Sequence, residues 1–254
     1  MLHFFEKGQG QPLVFLHGFC ESGEMWQYFS DSLSADYRVF CPDLPGFGSS
    51  PITNPITCLE EVAEQLEDWM ETLQIQNPIV MGHSLGGYVA LALLERMGNR
   101  IQAIGLIHST VYTDDLEKKE MRNRTLTFLK KHGASKFVSS FVPQLFPEHR
   151  RIELAEELAH AIEDGKRSSL EGLLAYTIAM RDRVDRVAVL REFDGSKLLL
   201  AGTLDTSVKI ESSRAQKEAF THYIELEGVG HLGMIEEKEK TLVVVQGFIR
   251  EALR

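Results

Sequence analysis

Cysteine is scarce in this chain of 254 residues, which contains only Cys20, Cys41 and Cys58. An odd, sparse set without a CxxC pair is typical of neither a disulfide framework nor a zinc site, so we expect reduced thiols. No run approaches the ~18 consecutive apolar residues of a membrane span, and residues 1–10 lack the apolar core of a signal peptide. These absences predict a soluble cytoplasmic protein.

Positive charge is also in short supply, with 27 Lys and Arg against 37 Asp and Glu and a formal net charge of −10. Nucleic acid and anionic membranes attract clustered Lys and Arg, so neither is an expected partner. The sequence contains no metal-ligand cluster, phosphate-binding loop or dinucleotide fingerprint, and we therefore expect no cofactor and no metal. Monomer and homodimer both stay open as oligomeric states.

Short β-rich runs alternate with helical patterns along much of the chain. The strand-like segments are 2–6, 12–18, 37–44, 77–83, 101–109, 196–205 and 222–228. Several of them are continuously apolar, which is typical of strands covered on both faces in a parallel sheet. Helical patterns occupy 56–74, 84–98 and 236–253, and Thr57 with Glu60 predicts a capping box at the first of them. This alternation predicts an α/β protein with a mostly parallel central sheet flanked by helices.

The pattern changes between residues 112 and 190, where charged helical stretches replace strand-like runs. A helical block set between two α/β portions predicts an insertion that lies over one end of the sheet. We therefore expect an α/β core formed by residues 1–111 and 191–254, with residues 112–190 as a helical cap.

A serine stands between two glycines in Gly82-His83-Ser84-Leu85-Gly86, which fits G-x-S-x-G. The motif follows a strand-like run and opens a helical one, where it forms a sharp turn that exposes the serine hydroxyl. Glycine at both flanks avoids side-chain collisions inside so tight a turn. The alternative is an ordinary glycine-rich helix start, but this context favours Ser84 as a nucleophile.

A serine hydroxyl needs a base to take its proton, and that base needs an orienting acid. His231 lies in a glycine-containing loop beyond the last predicted strand, and Asp205 ends the strand before it. Functional groups of open α/β sheets gather at the carboxyl ends of strands, so we expect these two residues to meet Ser84 there. His108, which also ends a strand, is the competing base. Asp43 is the alternative acid, although its segment is more typical of a turn.

Acyl transfer also needs hydrogen-bond donors for the negative charge that develops on the carbonyl oxygen. Residues 15–19, FLHGF, place a His-Gly-Phe sequence directly after a predicted strand. The backbone N–H groups of Phe19 and of Leu85, the residue after the nucleophile, are therefore the predicted oxyanion hole.

The chain resembles the α/β-hydrolase superfamily over essentially its full length. The matching segments are HGF (17–19), DLPGFGSS (43–50), GHSLGG (82–87), LLLAGTLD (198–205) and GVGH (228–231). The resemblance implies nucleophile, acid and base at Ser84, Asp205 and His231, in that chain order. Residues 179–205 are similar to small carboxylesterases and to the 3-oxoadipate enol-lactonase group. Because few residues precede the first strand-like run, we expect an α/β-hydrolase fold with about seven strands, without the first edge strand of the family, and with an inserted helical cap.

The resemblance also implies a function: a serine hydrolase that cleaves a small or medium-sized carboxylic ester or lactone through an acyl-enzyme. An acyltransferase, a C–C bond hydrolase and a cofactor-free haloperoxidase use the same three side chains and stay open, as does a non-catalytic ligand receptor. Substrate choice then depends on the cap, although most of its aromatic residues are expected to be core. The expected pocket residues are His108, Tyr112, Phe141, Tyr176, Met180 and Leu204.

Overall fold

The structure is a computed structural model that describes residues 2–254. Within that range there is one sheet of seven strands, in the order β1-β3-β2-β4-β5-β6-β7. The strands are β1 (Phe4–Lys7), β2 (Pro12–Leu16), β3 (Arg38–Pro42), β4 (Ile79–His83), β5 (Ala103–Ile107), β6 (Ser196–Gly202) and β7 (His222–Leu226). β1 pairs antiparallel with β3, and every other neighbouring pair is parallel. The expected sheet of about seven strands is confirmed.

Helices flank this sheet. They are α1 (Gln27–Leu33), α2 (Leu59–Thr72), α3 (Leu85–Met97), α4 (Leu116–His132), α5 (Ala134–Phe141), α6 (Ala155–Gly165), α7 (Leu170–Asp182), α8 (Val187–Glu192), α9 (Ile210–Gln216), α10 (Gly233–Glu236) and α11 (Lys238–Ala252). α2 packs on α3, and α1 contacts α11. β4 and β5 are buried at every position, as continuous apolar runs covered on both faces should be.

The start of α2 differs from the predicted capping box by one residue. Cys58, with an extended φ of −146°, is the N-cap, so the third helical position falls on Glu61 rather than Glu60. The Glu61 carboxylate accepts hydrogen bonds from the N–H groups of Thr57 and Cys58. Glu60 pairs instead with Arg186. The Thr57–Glu60 box is therefore wrong, because the chain enters the helix one residue later.

Two further elements depart from the sequence expectations. The C-terminal helix is divided at Glu237, which separates α10 from α11 and has φ −139° and ψ 55°. α1 was not predicted, although Phe29 and Leu33 are buried on one face of it and Trp26 is buried just before it. Neither difference changes the order of the strands.

Five helices, α4 to α8, lie between β5 and β6 in the chain. No strand interrupts them within the described residues. The division into a core and a cap at residues 112 and 190 stays a prediction. Among the helices formed by residues 2–254, none combines the length and hydropathy needed to cross a bilayer.

A buried ion pair lies where this helical segment leaves the sheet and where it returns. Asp114 Oδ1 is 2.7 Å from Arg183 Nη1, and both side chains are almost fully buried. The Arg183 guanidinium also donates to the backbone carbonyls of Tyr112 and Met180, and it lies 4.1 Å from the centre of the Tyr88 ring. The pair therefore joins the two ends of the helical segment.

Candidate active site

Ser84 lies at the sharp turn between β4 and α3. Its backbone has φ +49° and ψ −112°, a conformation that costs a residue with a side chain ~1–3 kcal/mol. A Cβ on Gly82 would lie 2.3 Å from the carbonyl oxygen of Gly86, and a Cβ on Gly86 would lie 2.4 Å from that of Leu16. The two flanking glycines are thus required by backbone contacts.

The structure brings the predicted nucleophile, base and acid into one hydrogen-bonded chain. Ser84 Oγ is 2.9 Å from His231 Nε2, and His231 Nδ1 is 2.8 Å from Asp205 Oδ2. The other carboxylate oxygen of Asp205 accepts the N–H groups of Ser207 and Val208 at 2.8 and 2.9 Å. The acid is therefore fixed by the backbone just beyond β6, and it can orient the imidazole.

The electrostatics of this chain suit proton transfer. Burial alone would lower the pKa of His231, but the Asp205 carboxylate against Nδ1 outweighs it and raises that pKa. Burial would raise the pKa of Asp205, but His231 and His108 hold it well below its usual range. Asp205 consequently stays ionised and keeps a proton on His231 Nδ1, which leaves Nε2 free to accept the Ser84 proton.

The loop that carries His231 is held from three directions. Its backbone N–H donates to the carbonyl oxygen of Leu145 in the helical segment, at 3.0 Å. Its own carbonyl oxygen lies 3.0 Å from His83 Nε2. The Glu236 carboxylate accepts the N–H groups of the two residues that flank His231, at 2.8 and 3.0 Å. Burial raises the pKa of Glu236, and those two N–H groups oppose the rise.

One predicted oxyanion donor, Phe19, lies in residues 17–22, the loop that follows β2 and is called the β2 loop or oxyanion loop. The other, Leu85, begins α3. Among residues 2–254, the backbone N–H groups of Phe19 and Leu85 have no acceptor, so both are available to a substrate oxygen. The positive end of the α3 dipole favours negative charge there. His17 holds the β2 loop: its Nδ1–H donates to the Gly18 carbonyl at 2.8 Å, and its Nε2 accepts the Leu44 N–H at 2.9 Å.

His108, the competing base, lies behind Asp205 rather than beside Ser84. Its Nδ1 is 3.3 Å from Asp205 Oδ2, in an alignment too poor for a hydrogen bond. Burial lowers the pKa of His108 to about 4, against the opposing effect of Asp205. The ring is therefore neutral at neutral pH and is enclosed, a placement that does not suit the pocket role expected for it.

The other expected pocket residues are spread over the helical segment and the loops. Tyr112 is half-buried and donates its hydroxyl to the Ala215 carbonyl at 3.3 Å. Met180 is buried, whereas Leu204, beside Asp205, is 44% exposed and faces solvent. The remaining two, Phe141 and Tyr176, belong to an aromatic cluster that reaches the predicted oxyanion loop.

That aromatic cluster comprises Phe19, Phe47, Phe137, Phe141 and Tyr176. The ring of Phe19 lies 6.0 Å from the rings of Phe47, Phe137 and Phe141, and Phe47 lies 4.9 Å from Tyr176. The Tyr176 hydroxyl is buried and has no hydrogen-bond partner within the described residues. Rings from α5 and α7 thus cover the oxyanion loop with an apolar surface.

One group of side chains among residues 2–254 has the donor types of a metal site. The ligand atoms of His108, Asp205 and His231 lie within 4.8 Å of one another. Asp205 Oδ2 and His231 Nδ1 already face each other at 2.8 Å, and this hydrogen bond accounts for their approach.

Two contributors to the site escaped the sequence analysis: Glu236 and the pairing of Glu21 with His83. Glu236 begins the charged run EEKEK at the start of the predicted C-terminal helix, where the sequence does not distinguish a buried acid from its exposed neighbours. Glu21 and His83 are 62 positions apart, and their 2.9 Å contact has no counterpart in local spacing.

Comparison with known proteins shows the family and the fold of the chain. A family model described as alpha/beta hydrolase fold matches residues 11–238. A pimeloyl-[acyl-carrier protein] methyl ester esterase from Aeromonas salmonicida (strain A449) is 27% identical, over 95% of this chain and 96% of the relative.

Two solved structures are similar over nearly the whole chain. A thermophilic esterase from Thermogutta terrifontis has a TM-score of 0.92 and 25% identity, covering 99% of this chain and 93% of that one. The enol-lactonase from Burkholderia xenovorans LB400 has a TM-score of 0.89 and 21% identity, covering 98% and 96%, which is a likeness of fold.

Proposed function

Because the chain belongs to the alpha/beta hydrolase family and is a hydrolase that acts on ester bonds, we propose that it cleaves a small or medium-sized carboxylic ester or lactone through Ser84, His231 and Asp205. The observation that carries the proposal is the continuous chain of hydrogen bonds from the Ser84 hydroxyl through the imidazole to the carboxylate, at 2.9 and 2.8 Å. These distances are those at which a base can take a serine proton.

The reaction has two acyl-transfer steps. Ser84 Oγ attacks the ester carbonyl while His231 Nε2 takes the hydroxyl proton, and the N–H groups of Phe19 and Leu85 donate to the oxyanion. The tetrahedral intermediate then collapses, and the leaving alcohol takes the proton from His231. Water then gives a proton to the same nitrogen and attacks the acyl carbonyl; the second tetrahedral intermediate collapses, the His231 proton passes to Ser84 Oγ, and the acid product leaves.

The aromatic cluster supports an apolar substrate portion. Its rings from α5 contact Phe19, and the Tyr176 ring from α7 contacts Phe47 beside it, so a group bound beneath the helical segment meets apolar surface next to the oxyanion donors. We propose that residues 112–190 form a cap with this role. A methyl ester esterase and an enol-lactonase among the similar proteins fit a carboxylic ester or lactone of moderate size.

A serine-directed phosphonate tests the proposal directly. We expect one adduct, on Ser84, located by mass spectrometry of the treated protein. Ser84→Ala should lose the adduct and lower kcat on p-nitrophenyl esters by on the order of 10⁶, if it acts as the nucleophiles of other serine hydrolases do. An unlabelled Ser84, together with full activity in Ser84→Ala, would rule out the mechanism.

The same substrates separate hydrolysis from acyl transfer. A panel of p-nitrophenyl esters of increasing chain length shows which acyl groups the site accepts. Repeating the best reaction with an added alcohol shows where the acyl group goes. Hydrolysis predicts the free acid as the product at every alcohol concentration, whereas an acyltransferase accumulates the new ester.

A further inference from the structure

A buried carboxylate and imidazole, Glu21 and His83, lie at the centre of the site without belonging to the proton-transfer chain. Glu21 is on the β2 loop, two residues after Phe19, and His83 is the residue immediately before Ser84. His83 Nδ1 is 2.9 Å from Glu21 Oε2, and the imidazole is completely buried. On its other side, His83 Nε2 is 3.0 Å from the backbone carbonyl oxygen of His231.

The partners of His83 determine where its protons are. A backbone carbonyl only accepts hydrogen bonds, so the nitrogen facing His231 must carry a hydrogen. On the other side, the Glu21 carboxylate faces the second ring nitrogen at 2.9 Å. Burial would raise the pKa of Glu21, but the adjacent His83 is the main influence that lowers it overall. The imidazole of His83 therefore bridges Glu21 and the backbone of His231 through its two nitrogens.

The pair also fixes the oxyanion loop. The Gly18 N–H donates to Glu21 Oε2, and Gly18 is the residue before Phe19. A Cβ on Gly18 would lie 2.6 Å from Glu21 Oε2 and 2.7 Å from His83 Nδ1. The glycine of the His-Gly-Phe sequence is therefore required because the buried pair packs against its Cα.

We propose that Glu21 and His83 form a buried hydrogen-bonded pair that positions the three catalytic loops relative to one another. Through Gly18 the pair holds the oxyanion loop, through the carbonyl of His231 it holds the base, and His83 itself adjoins the nucleophile. Both are positioning residues, since neither reaches the reacting atoms. The kinetic consequence rests on the proposed function, whereas the hydrogen bond between His83 and the His231 carbonyl does not.

Two substitutions of His83 separate its contacts. The amide nitrogen of glutamine falls near the position of Nε2, so His83→Gln keeps a donor for the His231 carbonyl and loses the hydrogen bond with Glu21. The amide nitrogen of asparagine falls near Nδ1, so His83→Asn keeps a donor for Glu21 and leaves the His231 carbonyl unpaired. The substitutions remove the same ring, and each is the control for the other.

We expect His83→Asn to lower kcat by on the order of 10², because a small displacement of a base has that effect, with KM changed by less than about threefold. His83→Gln should retain kcat within roughly tenfold of the unmodified enzyme. Equal losses in the two variants would contradict the positioning role. Phosphonate labelling of Ser84 in the unmodified protein shows separately whether the proposed function holds.

The bridging hydrogen bond is measured on the unmodified, unliganded protein, so it does not depend on either variant folding. With ¹⁵N-labelled histidine, His83 should show a directly bonded proton on Nε2, the nitrogen that faces the His231 carbonyl. A His83 whose Nε2 carries no proton would overturn the bridge.

Discussion

At the scale of single residues, the polar groups of the candidate site have hydrogen-bonding partners that fix each of them as a donor or as an acceptor. Asp205 receives two backbone N–H groups on one oxygen and His231 on the other, so it is fixed as an acceptor. The Leu85 N–H begins α3 and has no acceptor within residues 2–254. The orientation of each group, and its role as donor or acceptor, is therefore set before a substrate binds, which is what electrostatic preorganisation requires.

Asp205→Asn should lower kcat by on the order of 10⁴. The asparagine oxygen can still accept the N–H groups of Ser207 and Val208, which turns its NH₂ group toward His231 and favours the wrong tautomer. Because the Asp205 carboxylate raises the pKa of His231, its loss lowers that pKa. The rise of residual kcat/KM with increasing pH should therefore occur at lower pH than in the unmodified enzyme, as a pH–rate profile will show.

Asp43, the alternative acid, is the matched control for that substitution. Its carboxylate accepts the N–H groups of Gly23 and Ser49 at 2.7 and 2.8 Å, so it holds a turn. Asp43→Asn should lower stability while leaving the pH–rate profile in place. A profile that moves in Asp43→Asn and stays fixed in Asp205→Asn would reverse the assignment.

The sequence identifies residues with local signals better than those with distant ones. Ser84 was predicted from five consecutive residues, and Asp205 and His231 from their places after strands. Glu21 meets His83 only because β2 and β4 are neighbours in the sheet, and a pairing between strands does not mark either residue in the sequence. The contact between Glu21 and His83 was missed for that reason.

At the scale of secondary-structure elements, the turn from β4 into α3 shows how closely backbone segments pack around the nucleophile. The first turn of α3 lies against the end of β2, with Gly86 touching Leu16 and Gly87 close to Ser109. The Ser109 hydroxyl donates to the Ser84 carbonyl at 2.8 Å. A strained backbone at Ser84 is held by these neighbours.

Two helical glycines provide a matched comparison of that packing. Gly86→Ala should lower the free energy of unfolding by about 1–3 kcal/mol, because its Cβ would press on the Leu16 carbonyl oxygen. Gly247→Ala, in α11, meets nothing within 4 Å and should raise that free energy by about 0.5–1 kcal/mol. Urea denaturation of both variants measures the difference. A Gly86→Ala protein as stable as Gly247→Ala would mean that the turn is not tightly packed.

The boundaries of elements were predicted less well than their existence. Hydrophobic periodicity placed α2, but its first residue depended on the extended backbone of Cys58, which makes Cys58 the N-cap and Glu61 its capping-box partner. The break before α11 coincides with Glu236 turning back to the amides around His231. Both shifts come from side chains bonding to the backbone, which periodicity does not report.

At the scale of the whole molecule, the helical segment is joined to the sheet at its two ends by the Asp114–Arg183 ion pair. The pair is buried, and Arg122 Nε also lies 3.2 Å from Asp114 Oδ2. A buried charge that loses its partner is strongly destabilising, whereas replacing both partners with apolar groups is often tolerated. The junction therefore depends on the two charges being present together.

Asp114→Asn should lower the free energy of unfolding by about 3–5 kcal/mol, because it leaves the Arg183 charge uncompensated. Removing both charges, as Asp114→Leu with Arg183→Met, should recover most of that loss. Thermal or urea denaturation of the single and double variants forms the test. A double variant no more stable than Asp114→Asn alone would show that the charges themselves are not what the junction requires.

The hydrogen bond from the His231 backbone N–H to the Leu145 carbonyl has a practical consequence for protein engineering. Grafting the corresponding helices from another esterase onto this sheet would replace both the proposed selectivity surface and one anchor of the proposed general base. A chimera of that kind inherits a new turnover number along with a new preference. Redesign of selectivity in this scaffold should therefore proceed by exchanging side chains while the Leu145 main chain is left where it is.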